Sequence, residues 1–128
     1  MTNCDLVDIA LEYGNPVYVY DSAKIASQYN RLTSAFNGIN GLRINYATKA
    51  LSNVSILNLM RQLGSGLDTV SIQEVQLGLA AGFEPQAILF TPNGVSLKEI
   101  EAVAKMGVQI NIDNLSLLEQ FGTRHPKT

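Results

Sequence analysis

From Leu42 onward, short apolar runs alternate with longer stretches in which apolar residues recur every three or four positions. The short runs, Leu42–Ala47, Leu67–Val70, Ala87–Thr91 and Val108–Ile112, predict four β-strands. The stretches between them predict amphipathic helices of about ten residues each. In the third of these, Leu97, Ile100, Val103 and Ala104 share one face. Ser71–Glu74, Ser96–Glu99 and Ser116–Glu119 each have the Ser-x-x-Glu form of a capping box, which marks a helix start. Gly64, Gly82, Gly107 and Gly122 follow the predicted helices, where a residue with positive φ is wanted. Strand, helix and strand at this spacing imply parallel strands joined by right-handed crossovers.

The part before Leu42 differs. Pro16–Tyr20 reads as a strand. Asp21 or Ser22 then caps a longer helix with Ile25, Tyr29, Leu32 and Phe36 on one stripe. Thr123–Thr128 reads as a polar tail. Four βα units fit either an open doubly wound sheet or part of a (β/α)8 barrel, which typically runs to about 250 residues. Periodicity does not choose between them. No Gly-x-Gly-x-x-Gly follows the first strand and no Walker A lysine motif occurs. Gly64-Ser65-Gly66 precedes a strand, so it reads as a turn and not as a phosphate cradle.

Composition narrows the function classes. The 128 residues allow one domain at most. Hydrophobic residues at 46% and charged residues at 16% fit an ordinary globular chain. The formal net charge is −2 and the basic residues are scattered, so no nucleic-acid or anionic-membrane partner is expected. No apolar run approaches the roughly 18 residues needed to span a bilayer. Asp5 and Asp8 stand where a signal peptide wants positive charge. The single cysteine, Cys4, allows no internal disulfide, and a cytoplasmic setting is expected. No metal site is expected.

One residue carries candidate chemistry. Lys49 follows the first strand directly, at the C-terminal edge where α/β sheets and barrels both place their sites. Asp68 lies in the second strand and Thr91 closes the third. An amine beside low-dielectric walls loses its proton more readily and becomes a nucleophile toward carbonyls. The bland alternative is a solvated lysine just before a helix cap at Ser52.

Four pieces, taken together, bear on that choice. They are "YGNPVYVYD" (Tyr13–Asp21), "NYATKAL" (Asn45–Leu51), "GSGLDTVSIQEVQLGLAAGF" (Gly64–Phe83) and "INIDNLSLLEQ" (Ile110–Gln120). In this order and spacing they resemble the N-terminal part of the diaminopimelate decarboxylases, within the fold-type III family of pyridoxal phosphate enzymes. That family also holds ornithine and arginine decarboxylases and, more distantly, alanine racemase. The pairing of Tyr-Ala-x-Lys-Ala with Gly-x-Gly-x-Asp-x-x-Ser is specific, whereas either alone is weak. The resemblance covers about Tyr13 to Gln120.

The resemblance implies a partial (β/α)8 barrel of about four βα units. The preceding strand and helix would belong with a C-terminal β domain. By this reading residues 1–21 carry a strand of the β domain, residues 22–122 form the first half of the cofactor-binding barrel, and residues 123–128 are the tail. It also implies that Lys49 forms the imine with pyridoxal 5'-phosphate, that Ala47 leaves room beside the cofactor, and that Asp68 lines the site. Glu74 matches a family glutamate, but it also completes a capping box with Ser71. Asp113 and Asn114 read as helix caps.

After the third strand the chain departs from the family pattern, with Thr91-Pro92-Asn93-Gly94, where Asn93 is a candidate polar contact. His125 and Cys4 match neither the ring-stacking histidine nor the catalytic cysteine of the family. His125 is expected to be exposed. The implied reaction is decarboxylation of meso-diaminopimelate to L-lysine, by a homodimer when full-length. Another fold-type III decarboxylase or racemase, or a βα module without catalysis, stays open. The chain reads as an N-terminal fragment, inactive alone, whose open edges and uncovered inner face favour self-association.

Overall fold

A computed structural model describes residues 3–126. Residues 127–128 of the expected tail lie outside the described residues, as does the Cys4 side chain. The chain divides into two compact units, residues 1–37 and 38–128.

The first unit holds two helices, α1 (Asn3–Tyr13) and α2 (Ser22–Ala35). Asp21 caps α2 by accepting the Lys24 N–H at 3.0 Å. The segment Pro16–Tyr20, expected as a strand, has no ladder and is irregular. A strand exists only when a neighbour takes its backbone groups, and no described strand does so here. Pro16 also lacks the N–H that a ladder needs.

The second unit holds a four-stranded parallel sheet. Its strands are β1 (Asn45–Ala47), β2 (Gly66–Thr69), β3 (Ile88–Phe90) and β4 (Gln109–Ile110). β1, β3 and β4 are shorter than their apolar runs, whereas β2 keeps four residues and starts one earlier, at Gly66. Four helices follow them: α3 (Val54–Gln62), α4 (Ile72–Ala80), α5 (Leu97–Ala104) and α6 (Leu115–Arg124). The strand order is β1-β2-β3-β4, parallel throughout. A doubly wound sheet reverses its order at a switch point. An unbroken order with right-handed crossovers puts every helix on one face, as in a barrel wall.

That helix-facing side carries the core. Leu67, Ile88 and Phe90 are fully buried, as are Leu57 of α3, Val75 of α4 and Val103 of α5, with Ile100 of α5 at 1% exposure. Gly78 brings α4 close to the sheet, since a Cβ there would stand 2.6 Å from Leu67 Cδ1. Gly66 does the same between strands. Its Cβ would meet Asn45 Oδ1 at 2.2 Å and the Ala87 carbonyl oxygen at 2.9 Å.

Side chains alternate along a strand, and partners in a parallel ladder face the same way. The register therefore puts Asn45, Ala47, Asp68, Leu89 and Gln109 on the opposite, inner face. This face is mainly small and polar, so it is not the apolar patch that the self-association expectation assumed.

Helix ends follow the sequence in part. Ser71 and Ser96 accept the Glu74 and Glu99 N–H groups, both at 3.3 Å. The Glu74 carboxylate reaches back to the Val70 N–H at 2.8 Å. Glu99 turns instead to the Ile72 N–H of the neighbouring helix, at 3.4 Å. The third box does not form. Asn114 caps α6, taking the Ser116 and Leu117 N–H groups at 2.9 and 3.2 Å. Asn53, not Ser52, caps α3. Gly64, Gly82 and Gly107 have positive φ, whereas Gly122 lies inside α6 and does not.

α6 also runs to Arg124, so Thr123 and Arg124 are helical and not part of a tail. His125 is half-buried. Its ring lies 4.8 Å from that of Phe121 and its Nε2 is 3.3 Å from Glu101 Oε1. Burial pushes the Glu101 carboxyl up, but the bonds from His125 and Arg124 outweigh it and hold the group below its ordinary 4.5. A carboxyl lowered on folding stabilises above its unfolded value, and that stabilisation is lost as pH falls through the lowered one. The melting temperature is thus expected to fall more steeply below pH 4.5 in the unsubstituted protein than in Glu101→Gln. Parallel pH–melting curves would remove the link.

Two substitutions test the packing. Gly66→Ala forces a methyl against a backbone oxygen and is expected to destabilise by about 2–3 kcal/mol. Thr48 is fully buried and its hydroxyl has no partner among the described residues. Thr48→Val removes that orphan group, leaving stability unchanged or raised by about 1 kcal/mol. Urea unfolding of both variants is the check.

Candidate active site

The C-terminal ends of the four strands lie along one edge because all are parallel. β1 ends at Ala47 and turns at once into a single 3-10 turn, Thr48–Ala50. The turn is held at three points. Thr48 is sunk into the core. The Leu51 N–H donates to the Thr48 carbonyl at 3.1 Å. The Tyr46 hydroxyl donates to the Leu51 carbonyl, also at 3.1 Å. With Thr48 directed inward, Lys49 stands exposed on the edge. Among the described residues its amine makes no ion pair. The low-dielectric walls expected around this amine are not built by these residues.

Asp68 pairs in register with Ala47 on one side and Leu89 on the other. It sits half-buried on the inner face, one strand away from Ala47 and level with it. Neither neighbour offers a side-chain donor. The Thr91 hydroxyl supplies one, donating to Asp68 Oδ1 at 2.5 Å. Lys49, Asp68 and Thr91 therefore occupy the same edge, as the crossover rule predicts, and Ala47 shares the inner face with Asp68.

The other candidates fall elsewhere. Glu74 is engaged with the backbone N–H of Val70 at the start of α4. Asn93 is exposed in the turn after β3, and Asp113 is exposed beside the α6 cap. His125 lies at the end of α6 against Glu101. No group of three or more metal-binding side chains occurs among the described residues. Sequence reasoning missed the Tyr46 strap and the Thr91–Asp68 bond. Tyr46 stood within the quoted lysine piece, but its partner is set by the turn that follows. Thr91 meets Asp68 only through the β2–β3 register.

Fold and edge define a class: a parallel βα-barrel segment presenting a lysine and a tethered carboxylate at the C-terminal ends of adjacent strands. Residues 22–128 match the family model described as "Pyridoxal-dependent decarboxylase, pyridoxal binding domain", and the chain belongs to that family. It is 41% identical over 124 residues to the diaminopimelate decarboxylase of Methanothermobacter thermautotrophicus, covering 96% of this chain and 29% of that protein. To the diaminopimelate decarboxylase of Helicobacter pylori strain J99 it is 42% identical over 112 residues, covering 87% and 27%. The crystal structure of the Helicobacter pylori enzyme complexed with L-lysine aligns with a TM-score of 0.84 at 37% identity, covering 92% of this chain and 30% of that one. The chain thus spans less than a third of the length of these relatives.

Glu74 separates a capping role from a chemical one. Glu74→Ala is expected to lose about 1 kcal/mol of stability, the usual size of a lost cap or hydrogen bond. Chemical modification of Lys49 should be unchanged in that variant. A protein of full stability whose Lys49 reactivity falls would assign Glu74 to the site.

Proposed function

We propose that residues 22–122 are the first half of the cofactor barrel of a pyridoxal phosphate-dependent decarboxylase that converts meso-diaminopimelate to L-lysine and CO2. One observation carries this reading: Lys49 stands on a fastened turn at the C-terminal end of β1, with Asp68 on the inner face of the adjacent strand. A primary amine and a carboxylate are the donor set for a carbonyl cofactor whose linked nitrogen becomes cationic. Ala47, level with Asp68, has a side chain small enough to admit a ring. These residues fit the carbonyl end of pyridoxal phosphate. The Helicobacter pylori relative was crystallised with L-lysine, the product of this reaction.

When bound, pyridoxal phosphate draws off the electron pair left at the substrate's α-carbon as CO2 departs. Lys49 would hold the cofactor covalently through Nζ. The Lys49 amine would also stand where it could carry a proton at the same edge. Asp68 would balance the positive charge on the linked nitrogen. Tyr46 and Thr48 fix the turn, which keeps the amine at one position on the edge. The whole protein is taken to be a cytoplasmic homodimer. Among the described residues no helix is long and apolar enough to cross a membrane.

The test is borohydride trapping of pyridoxal phosphate on the complete barrel protein containing this chain, followed by peptide mapping. Label is expected on Lys49. Lys49→Ala should lower decarboxylation by more than about a hundredfold. Label on Lys24, Lys98 or Lys105 with Lys49 clean would overturn the assignment.

A further inference from the structure

The Asp68 carboxylate is held by a contact that neither its own strand nor β1 supplies. Thr91 follows β3, and its N–H donates to the Thr69 carbonyl at 2.8 Å, which carries the β2–β3 ladder one residue past the strand end. The Thr91 backbone is thereby fixed against β2. Its hydroxyl has one proton to give and two acceptors in reach. Asp68 Oδ1 lies at 2.5 Å and the Thr69 carbonyl oxygen at 3.4 Å. The nearer acceptor is an anion, and charge-assisted bonds are the stronger kind. Thr69 turns the other way. It is fully buried, and its own hydroxyl donates to the Leu89 carbonyl at 3.0 Å. Adjacent residues of β2 are thus each tied to the β3 chain by a hydroxyl, one in the core and one on the inner face.

The core bond only fastens strands. The inner-face bond does something further, because it fixes a carboxylate that has hydrogen-bond capacity left over. An ionised carboxylate has about four acceptor positions, and Thr91 fills one, on Oδ1. Without that bond the Asp68 side chain is free to rotate on a half-buried surface between Ala47 and Leu89, neither of which can hold it. Small misplacements of a charge beside a reacting group are costly. A β-branched residue suits the task, since threonine is stiff at χ1 and its hydroxyl is aimed before any ligand arrives.

We propose that Thr91 is a positioning residue, whose hydroxyl fixes the Asp68 carboxylate on the inner face so that its charge serves the nitrogen of Lys49. The inference rests on the proposed function and adds to it a residue that the lysine and aspartate motifs do not contain. Thr91 acts through Asp68 and touches no reacting atom.

The test is a double-mutant cycle on the complete barrel protein, read as the dissociation constant of pyridoxal phosphate from its absorbance. Melting temperature of the cofactor-free protein is followed alongside. Thr91→Val keeps the shape and removes the hydroxyl, and it should weaken binding about tenfold, the size of one hydrogen bond to a charged group. Thr91→Ser restores the hydroxyl and should return binding to within about threefold of the unsubstituted protein. In an Asp68→Asn background, Thr91→Val should add less than about twofold, since coupled residues are not additive. If Thr91→Val does not fold, Thr91→Ala takes its place in the cycle.

A purely structural threonine would change melting temperature, leave cofactor binding alone, and cost the same with or without Asp68. Unchanged binding in Thr91→Val, or full additivity with Asp68→Asn, overturns the proposal. Borohydride label on Lys49 in the unsubstituted protein is the control. With Lys49 labelled and the cycle additive, only the role of Thr91 falls. With Lys49 unlabelled, the proposed function falls and takes this inference with it.

Discussion

Burial of Leu67, Ile88 and Phe90 against the helices fixes the register of the sheet, and the register fixes everything at its edge. Side chains alternate with a period of two. A slip of one residue in β2 would expose Leu67 and Thr69 and drive Asp68 into the apolar layer. Unpaired burial of a carboxylate is far more expensive than exposing it. The core thus holds Asp68 on the inner face without touching it. Gly66 strengthens the constraint, because the space a Cβ would need is taken by Asn45 and by the Ala87 carbonyl. Those contacts exist only in the observed pairing of Asn45 with Gly66.

The repeat of strand, helix and glycine was legible because each unit is local. Apolar runs located all four strands, and Ser71 and Ser96 located two helix starts to the residue. Failures came where two local signals competed or where the partner was distant. At α6 the sequence offered two caps, and the reading of Asn114 as a cap holds while the Ser116 box does not. Asparagine is at least as good a cap, and it stands two residues earlier. Asn53 takes the α3 cap from Ser52 in the same way. α1 carried a helical signal in Leu6, Ile9, Ala10 and Tyr13, which the strand-centred pattern passed over. Pro16–Tyr20 has strand-like composition, but pairing is a tertiary property that composition does not contain. The choice between barrel and doubly wound sheet needed strand order, which periodicity cannot encode.

At the site the same division holds. The position of Lys49 followed from a general rule about sheet edges, so one sequence sufficed. The surroundings of the lysine did not follow. The Tyr46 hydroxyl crosses five residues to Leu51, and the Thr91 hydroxyl crosses 23 to Asp68. Both contacts depend on geometry that the surrounding fold sets. Family resemblance singled out the lysine and the aspartate, while the groups that hold them came from the structure.

Four carboxylates of the second unit differ in what they are free to do. Glu74 accepts the Val70 N–H, and Glu99 accepts the Ile72 N–H. Both are committed to backbone donors around the start of α4, where negative charge is favoured in any case. Glu101 of α5 is occupied by Arg124 and His125 at the end of α6. Asp68 alone among these four is held by a side-chain hydroxyl on the inner face, with one oxygen engaged and lone pairs remaining. A carboxylate that caps a helix lowers the energy of the fold. A carboxylate tethered beside a lysine-bearing strand keeps a charge available for chemistry. Sequence composition counts the four as equals, and their hydrogen-bond partners separate them.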